Sequence, residues 1–125
     1  MKLRFNGNTI RLRLSRSDVQ SVKEGKDVIE KVIFGNGQPD FQYALKLSHQ
    51  STNIEATCQT NEIAVIVPKH VALDWAESSK VGLYRDPSAK QEATLSITIE
   101  KDFQCLHKRP GEDETDNFPN PRGGM

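Results

Sequence analysis

The chain reads as two rough copies of one pattern: strand, turn, strand, short helix, strand, turn, strand. The first copy runs from about Leu3 to Leu47 and the second from about Ile54 to Glu100. This repetition limits the fold more than any other feature. Helices this short cannot cover a large parallel sheet, and hairpin-like turns favour antiparallel neighbours. The pattern predicts an α+β, β-dominated fold: a mostly antiparallel, barrel-like or half-closed sheet with two short helices packed on it or plugging its ends. Residues 1–104 then form a single β-rich domain, and residues 105–125 a polar, acidic, proline-containing tail docked on it.

Local chemistry supports each element. Leu3 and Phe5 alternate with Lys2 and Arg4, Asn6-Gly7-Asn8 interrupts, and Ile10, Leu12 and Leu14 alternate with Thr9, Arg11 and Arg13. Period-two alternation buries one face and wets the other, and Asn-Gly readily takes the positive φ of a tight hairpin. Ser15 and Asp18 have the spacing of a capping box, with Leu14 and Val19 at the positions of a hydrophobic staple and Gly25 as the stop. A strand over 28–34, a glycine-rich turn over 35–40 and a strand from Phe41 to Leu47 complete the first copy. In the second, Ile54 to Cys58 and Ile63 to Val67 read as strands flanking Thr60-Asn61. Pro68 suits a first helical position. Val71, Ala72, Trp75 and Ala76 form a helical stripe with Trp75 in the core. Val81, Leu83 and Tyr84 begin the next strand, and Leu95, Ile97 and Ile99 alternate in the last. Laying Asn8 on Asn61 puts Ile10 on Ile63. One residue of slip then lays Tyr43, Leu45 and Leu47 on Leu95, Ile97 and Ile99.

Bulk properties remove several classes of function. The 125 residues carry 17 basic and 17 acidic side chains, so formal net charge is zero. Bulk electrostatics therefore marks neither a nucleic-acid binder nor an acidic solvating chain. The N-terminus lacks the apolar run of a signal peptide, and no segment approaches the ~20 apolar residues of a membrane span. A cytoplasmic protein is expected. Cys58 and Cys105 would then stay reduced rather than pair. No phosphate-binding glycine loop, nucleophile elbow or metalloprotease helix is present.

Charge is nevertheless segregated. Lys2, Arg4, Arg11, Arg13 and Arg16 precede the first acid, Asp18. On a hairpin, Lys2, Arg4, Arg11 and Arg13 share one wet face, which could hold phosphates or enter a groove. The alternative for these residues is a solvated sheet face or pairing with the tail. The tail carries Phe103, Leu106 and Phe118 as apolar anchors, and its acidic run, Glu112 to Asp116, could lie along the Arg11/Arg13 face. If that run masks the basic face until a partner displaces it, the protein is self-inhibited, and deleting residues 110–125 raises affinity for a polyanion.

Cys105 and His107 stand two apart, so in an extended segment sulfur and imidazole share a face. That pair suits zinc, with Cys58, His70, Asp74, Asp113 or Asp116 to complete the shell. Lys101, His107, Lys108 and Arg109 would favour a thiolate at Cys105, the starting point for thiol chemistry, although no oxyanion donor is identifiable. The bland reading is a core-facing Cys105 beside an exposed His107. His70 and Asp74 lie one turn apart and read as a surface helix pair.

Two resemblances accompany these readings. The strand-strand-helix-strand-strand unit, with its Val65-Ile66-Val67-Pro68 junction into the helix, resembles the swapped-hairpin units of bacterial transition-state regulators, here fused in one chain. That implies a nucleic-acid-binding regulator. The opening from Lys2 to Leu14, together with Glu100 to Leu106, the acidic run and Phe118-Pro119-Asn120-Pro121, resembles a family of small bacterial proteins of unknown function. It implies a bacterial, stand-alone protein and transfers no activity. The preferred function is a non-enzymatic binding or interaction domain whose counterpart is an acidic protein or nucleic acid. The alternatives are a metal-binding or thiol-dependent small enzyme centred on Cys105/His107, and the swapped-hairpin regulator. A homo-oligomer could form through an edge strand, either the first or the one at Ile54.

Overall fold

A computed structural model describes residues 1–86, 95–103 and 116–119. The first hairpin joins β1 (Lys2–Phe5) to β2 (Thr9–Leu14). Asn6 and Thr9 exchange both backbone hydrogen bonds at 3.1 Å, and Gly7 supplies a positive φ of 55° at the first central position of the turn. That is the placement a type II′ hairpin requires.

Ser15 ends β2 and caps α1 (Arg16–Lys23). Its hydroxyl accepts from the Asp18 amide at 3.3 Å, and its own amide donates to the Asp18 carboxylate at 3.0 Å, a reciprocal capping box. At the other end Gly25, with φ 78°, donates to the Val22 carbonyl while Lys26 donates to that of Ser21. Those two bonds are a Schellman stop, which needs a left-handed residue where Gly25 stands.

β3 (Val28–Val32) and β4 (Phe41–Ser48) follow, then β5 (Glu55–Gln59) and β6 (Glu62–Pro68). Thr60 and Asn61 both have positive φ, the type I′ pattern. β3 ends earlier than the sequence predicts, and Ile33 and Phe34 lie beyond it, exposed. α2 (Lys69–Glu77) begins one residue after Pro68, which closes β6 and occupies the N-cap rather than the first helical position. β7 (Gly82–Arg85) and β8 (Ser96–Lys101) complete the order.

The strands form two four-stranded mixed sheets, β1-β2-β8-β7 and β3-β4-β6-β5. Both central pairings, β2 with β8 and β4 with β6, are parallel, and the outer pairings are antiparallel. Among the described residues the ladders do not close into a barrel, and β1, β7, β3 and β5 remain edges. Four of the six described pairings are antiparallel, as the hairpin-like turns imply; the expected single barrel-like or half-closed sheet is instead two four-stranded mixed sheets. Parallel neighbours need a long crossover, and here the intervening chain, including the other sheet or a hairpin, supplies it. No described helix is long and apolar enough to cross a membrane.

One core lies between the layers. Leu12 and Leu14 of β2, Ile97 and Ile99 of β8, Leu45 of β4, and Val65 and Val67 of β6 meet Val19 and Val22 of α1 and Trp75 of α2. α1 packs on α2. Trp75 is 1% exposed, and its indole N–H donates to the Val81 carbonyl at 3.3 Å.

The N-terminal ammonium is held at 2.8 Å from Asp18 and 2.9 Å from Glu30, while the Tyr43 hydroxyl donates to the Met1 carbonyl at 3.0 Å. Burial pushes the ammonium pKa down, but hydrogen bonds and charge from Asp18 and Glu30 outweigh it, and the net shift is upward from 8.0. A raised pKa means the folded state holds this proton more tightly. The stabilisation is complete below the ordinary value and is lost as pH rises through the folded one. Thermal melts on either side of that range will show an alkaline fall in Tm, and Glu30→Gln will flatten it. An equal fall in both proteins would assign the effect elsewhere.

Candidate functional site

On β2, burial of Ile10, Leu12 and Leu14 turns Thr9, Arg11 and Arg13 to the outside. Antiparallel register then fixes what stands beside them. Arg4 is the partner of Arg11, and Lys2 of Arg13. The parallel partner strand places Thr98 beside Arg11 and Glu100 beside Arg13, and β7 places Tyr84 beside Thr98 and Gly82 beside Glu100. Partners across a ladder share a face. Two rows therefore cross the outer face of β1-β2-β8-β7: Arg4, Arg11, Thr98, Tyr84, and next to it Lys2, Arg13, Glu100, Gly82.

Four cations on this face meet two acids. Lys2 lies 3.1 Å from Asp102, and the Arg11 guanidinium 3.4 Å from Glu100. Arg4 and Arg13 have no ion pair among the described residues. Arg4, Asn6, Thr9 and Arg11 line a cavity of about 310 Å³ at the turn end of the hairpin. Two guanidiniums, an amide and a hydroxyl form a donor set suited to an oxyanion. Arg16, grouped with these residues in the sequence, begins α1 and stands off the ladder.

Tyr84 is 60% exposed. Its ring lies over Gly82: a β-carbon added there would stand 2.8 Å from Tyr84 Oη and 2.9 Å from Cζ. A bare glycine backbone thus seats one side of an aromatic ring at an edge strand. The sequence places Tyr84 only as a strand residue. Its position in line with Arg11 depends on the β2–β8 pairing, which no local pattern records.

The ends of the described chain meet near α1. Asp116 accepts from the Ser17 hydroxyl at 2.8 Å and the Ser17 amide at 3.2 Å, and the Arg16 amide donates to its carbonyl at 2.8 Å. The Ser17 hydroxyl, chiefly, and the cap around it hold the Asp116 carboxyl below its ordinary pKa. This last residue of the acidic run thus sits at a helix N-terminus, where an anion is favoured. The Phe103 and Phe118 rings lie 5.6 Å apart, and the Phe118 amide donates to the Asp102 carbonyl at 2.7 Å. Lys101, nearly buried, donates to the Ser78 carbonyl at 2.6 Å and lies 5.4 Å from the Trp75 ring and 5.8 Å from that of Phe118. Burial, with help from the Lys23 charge, lowers its pKa.

Cys105, Leu106, His107 and Asp113 lie outside the described residues. Cys58 is a free, exposed thiol, and His70 is exposed. Asp74 pairs with Lys80 at 3.2 Å. Among the described residues no group of three or more His, Cys, Asp or Glu side chains converges to hold a metal.

On the other sheet Lys46 reaches Glu62 at 2.9 Å, and Gln42 donates to the same carboxylate. Glu62 is held below its ordinary pKa, first by Lys46 and then by Gln42. Register places Glu55, Glu62, Lys31 and Lys46 together on that face, two acids with two cations.

A family model described as a family of unknown function (DUF7009) matches residues 1–122. No curated protein and no solved structure gives a match.

Proposed function

Because the chain belongs to DUF7009, a family of unknown function, no activity comes to it by descent, and we propose its role from the geometry of β1-β2-β8-β7. The protein is a non-enzymatic binding domain, and the outer face of this sheet takes a phosphate-bearing polymer. The observation that carries this is the Arg4–Arg11 pair, which lines a cavity with Asn6 and Thr9. Net charge of zero does not oppose it. Binding responds to local potential, and this face holds an excess of cations.

A second reading rests on sheet composition. Each sheet joins one hairpin of the first half to one hairpin of the second: β1-β2 with β8-β7, and β3-β4 with β6-β5. This supports a duplicated ββαββ unit arranged as a swapped-hairpin regulator of bacterial type, which would bind nucleic acid. Ile10 lies beside Ile97 as Ile63 lies beside Tyr43. The two halves are then related with Tyr43 on Ile97, two residues from the match to Leu95 that sequence alone suggests. The tail after residue 104 is read as a strap across the domain, supported by Asp116 on Ser17 and Phe118 on Phe103.

The test is fluorescence anisotropy with labelled nucleic acid, competed by inorganic polyphosphate. Affinity will fall as salt rises. Arg4→Ala and Arg11→Ala will each weaken binding to every sequence and flatten the slope of log K against log salt by about 0.7–0.9. Lys26→Ala, remote from the face and paired with Glu24, will change neither. Salt-independent binding, or arginine variants with unaltered slopes, would overturn the proposal.

A further inference from the structure

We infer that this face is built for single-stranded nucleic acid, with Tyr84 as its base-stacking platform. The inference rests on the phosphate-binding reading above and names the form of polymer. Three observations carry it. First, Tyr84 stands in the same cross-sheet row as Arg4 and Arg11, separated from Arg11 only by Thr98. At the usual strand spacing the row is about 14 Å long, a span of a few nucleotides. Second, the hydroxyl end of the Tyr84 ring rests over Gly82, and the residue as a whole is 60% exposed. An exposed aromatic ring can offer a π-face to an unstacked base, and bases within a duplex have no face to give. Third, Tyr84 also walls a cleft of about 400 Å³ whose polar lining includes Thr52, Asn53, Glu55 and Asp86. Their polar groups could meet the edge of a base stacked on the ring.

The charge pattern selects the occupant. Arg4 and Arg11 collect phosphate at one end of the row, and the aromatic ring collects a base at the other. An acidic peptide would satisfy the arginines and leave Tyr84 unused. Duplex DNA would satisfy phosphate contacts and likewise leave the ring idle. Of these three polymers, the single strand presents both chemistries along one line.

The experiment measures binding of a short labelled oligothymidylate, the same strand annealed to its complement, and inorganic polyphosphate. The proteins are the full chain and its Tyr84→Ala, Tyr84→Phe and Tyr84→Leu variants, each checked by thermal melting. Tyr84→Ala and Tyr84→Leu should weaken single-strand binding by about 5- to 150-fold, the contribution of one stacked base. Tyr84→Phe should retain it, and polyphosphate affinity should stay constant in all four. The inference is overturned if the alanine and leucine variants bind the oligonucleotide like the unaltered chain, or if the duplex binds more tightly than the single strand. If polyphosphate binds normally in either case, the broader phosphate reading survives. If the unaltered chain binds neither polyphosphate nor oligonucleotide, the broader reading fails and takes this one with it.

Discussion

Trp75→Ala will destabilise the protein by about 3–5 kcal/mol, the range for emptying a large aromatic site in a core. The indole is 1% exposed and packs in the cluster that both sheets and both helices share. Its loss removes more than apolar area. The Val81 carbonyl loses its indole donor, and the Lys101 ammonium loses a ring 5.4 Å away while remaining nearly buried. A domain of this size typically holds about 5–15 kcal/mol in total, so the variant keeps little reserve. Urea denaturation followed by far-UV circular dichroism will show a large fall in midpoint. Trp75→Phe, which retains an aromatic ring, will fall less. A loss of unfolding free energy below about 1 kcal/mol for alanine would mean the site collapses around the deletion.

Gly82→Ala will act on stability and on the outer face together. The added β-carbon would stand 2.8 Å from the Ile99 carbonyl oxygen, a backbone atom within the β7–β8 ladder. Neither strand can yield cheaply, so a cost of about 1–3 kcal/mol is expected from overpacking. The same carbon meets the Tyr84 ring at 2.8–2.9 Å, and the ring must lift from the sheet. Urea denaturation checks the first effect, and quenching of tyrosine emission by a soluble quencher checks the second. A variant with unaltered stability and an unaltered ring environment would show that β7 can shift without cost.

Local elements were legible because their chemistry is local. The Ser15/Asp18 box, the Asn6-Gly7 hairpin and the alternation along β2 and β8 each need only a few neighbouring residues. Pairing between strands was not legible in the same way. Nothing near Thr9–Leu14 says that its second neighbour is Ser96–Lys101 rather than a strand of its own half. The candidate site inherits this limit: the four cations follow from one hairpin, whereas Thr98 and Tyr84 arrive through the long-range pairing. Lys101 was unreadable for a related reason. It continues the inward parity of Ile97 and Ile99, and a buried ammonium is tolerated there because Ser78 and two rings receive it. Ile33 and Phe34 mislead in the opposite direction. Their β-forming character extends β3 on paper, while the partner strand β4 begins at Phe41, opposite Val32, and leaves them no ladder to join.

The interleaving of hairpins has a consequence for biosynthesis. Sheet β3-β4-β6-β5 is complete once the chain has been made as far as Pro68. The first hairpin, although made earliest, has no neighbour for β2 until β8 leaves the ribosome near the end of the described strands. This topology leads us to expect folding out of order with synthesis, with the middle of the chain settling first and the N-terminal hairpin docking last, an order that hydrogen-exchange labelling during refolding would check. Long-range pairing of this kind slows folding, because loop closure must precede any gain from contact. During that wait β2 presents an open, partly apolar strand edge, and the arginines alternating along it are the kind of side chain that keeps such an edge from joining another nascent chain.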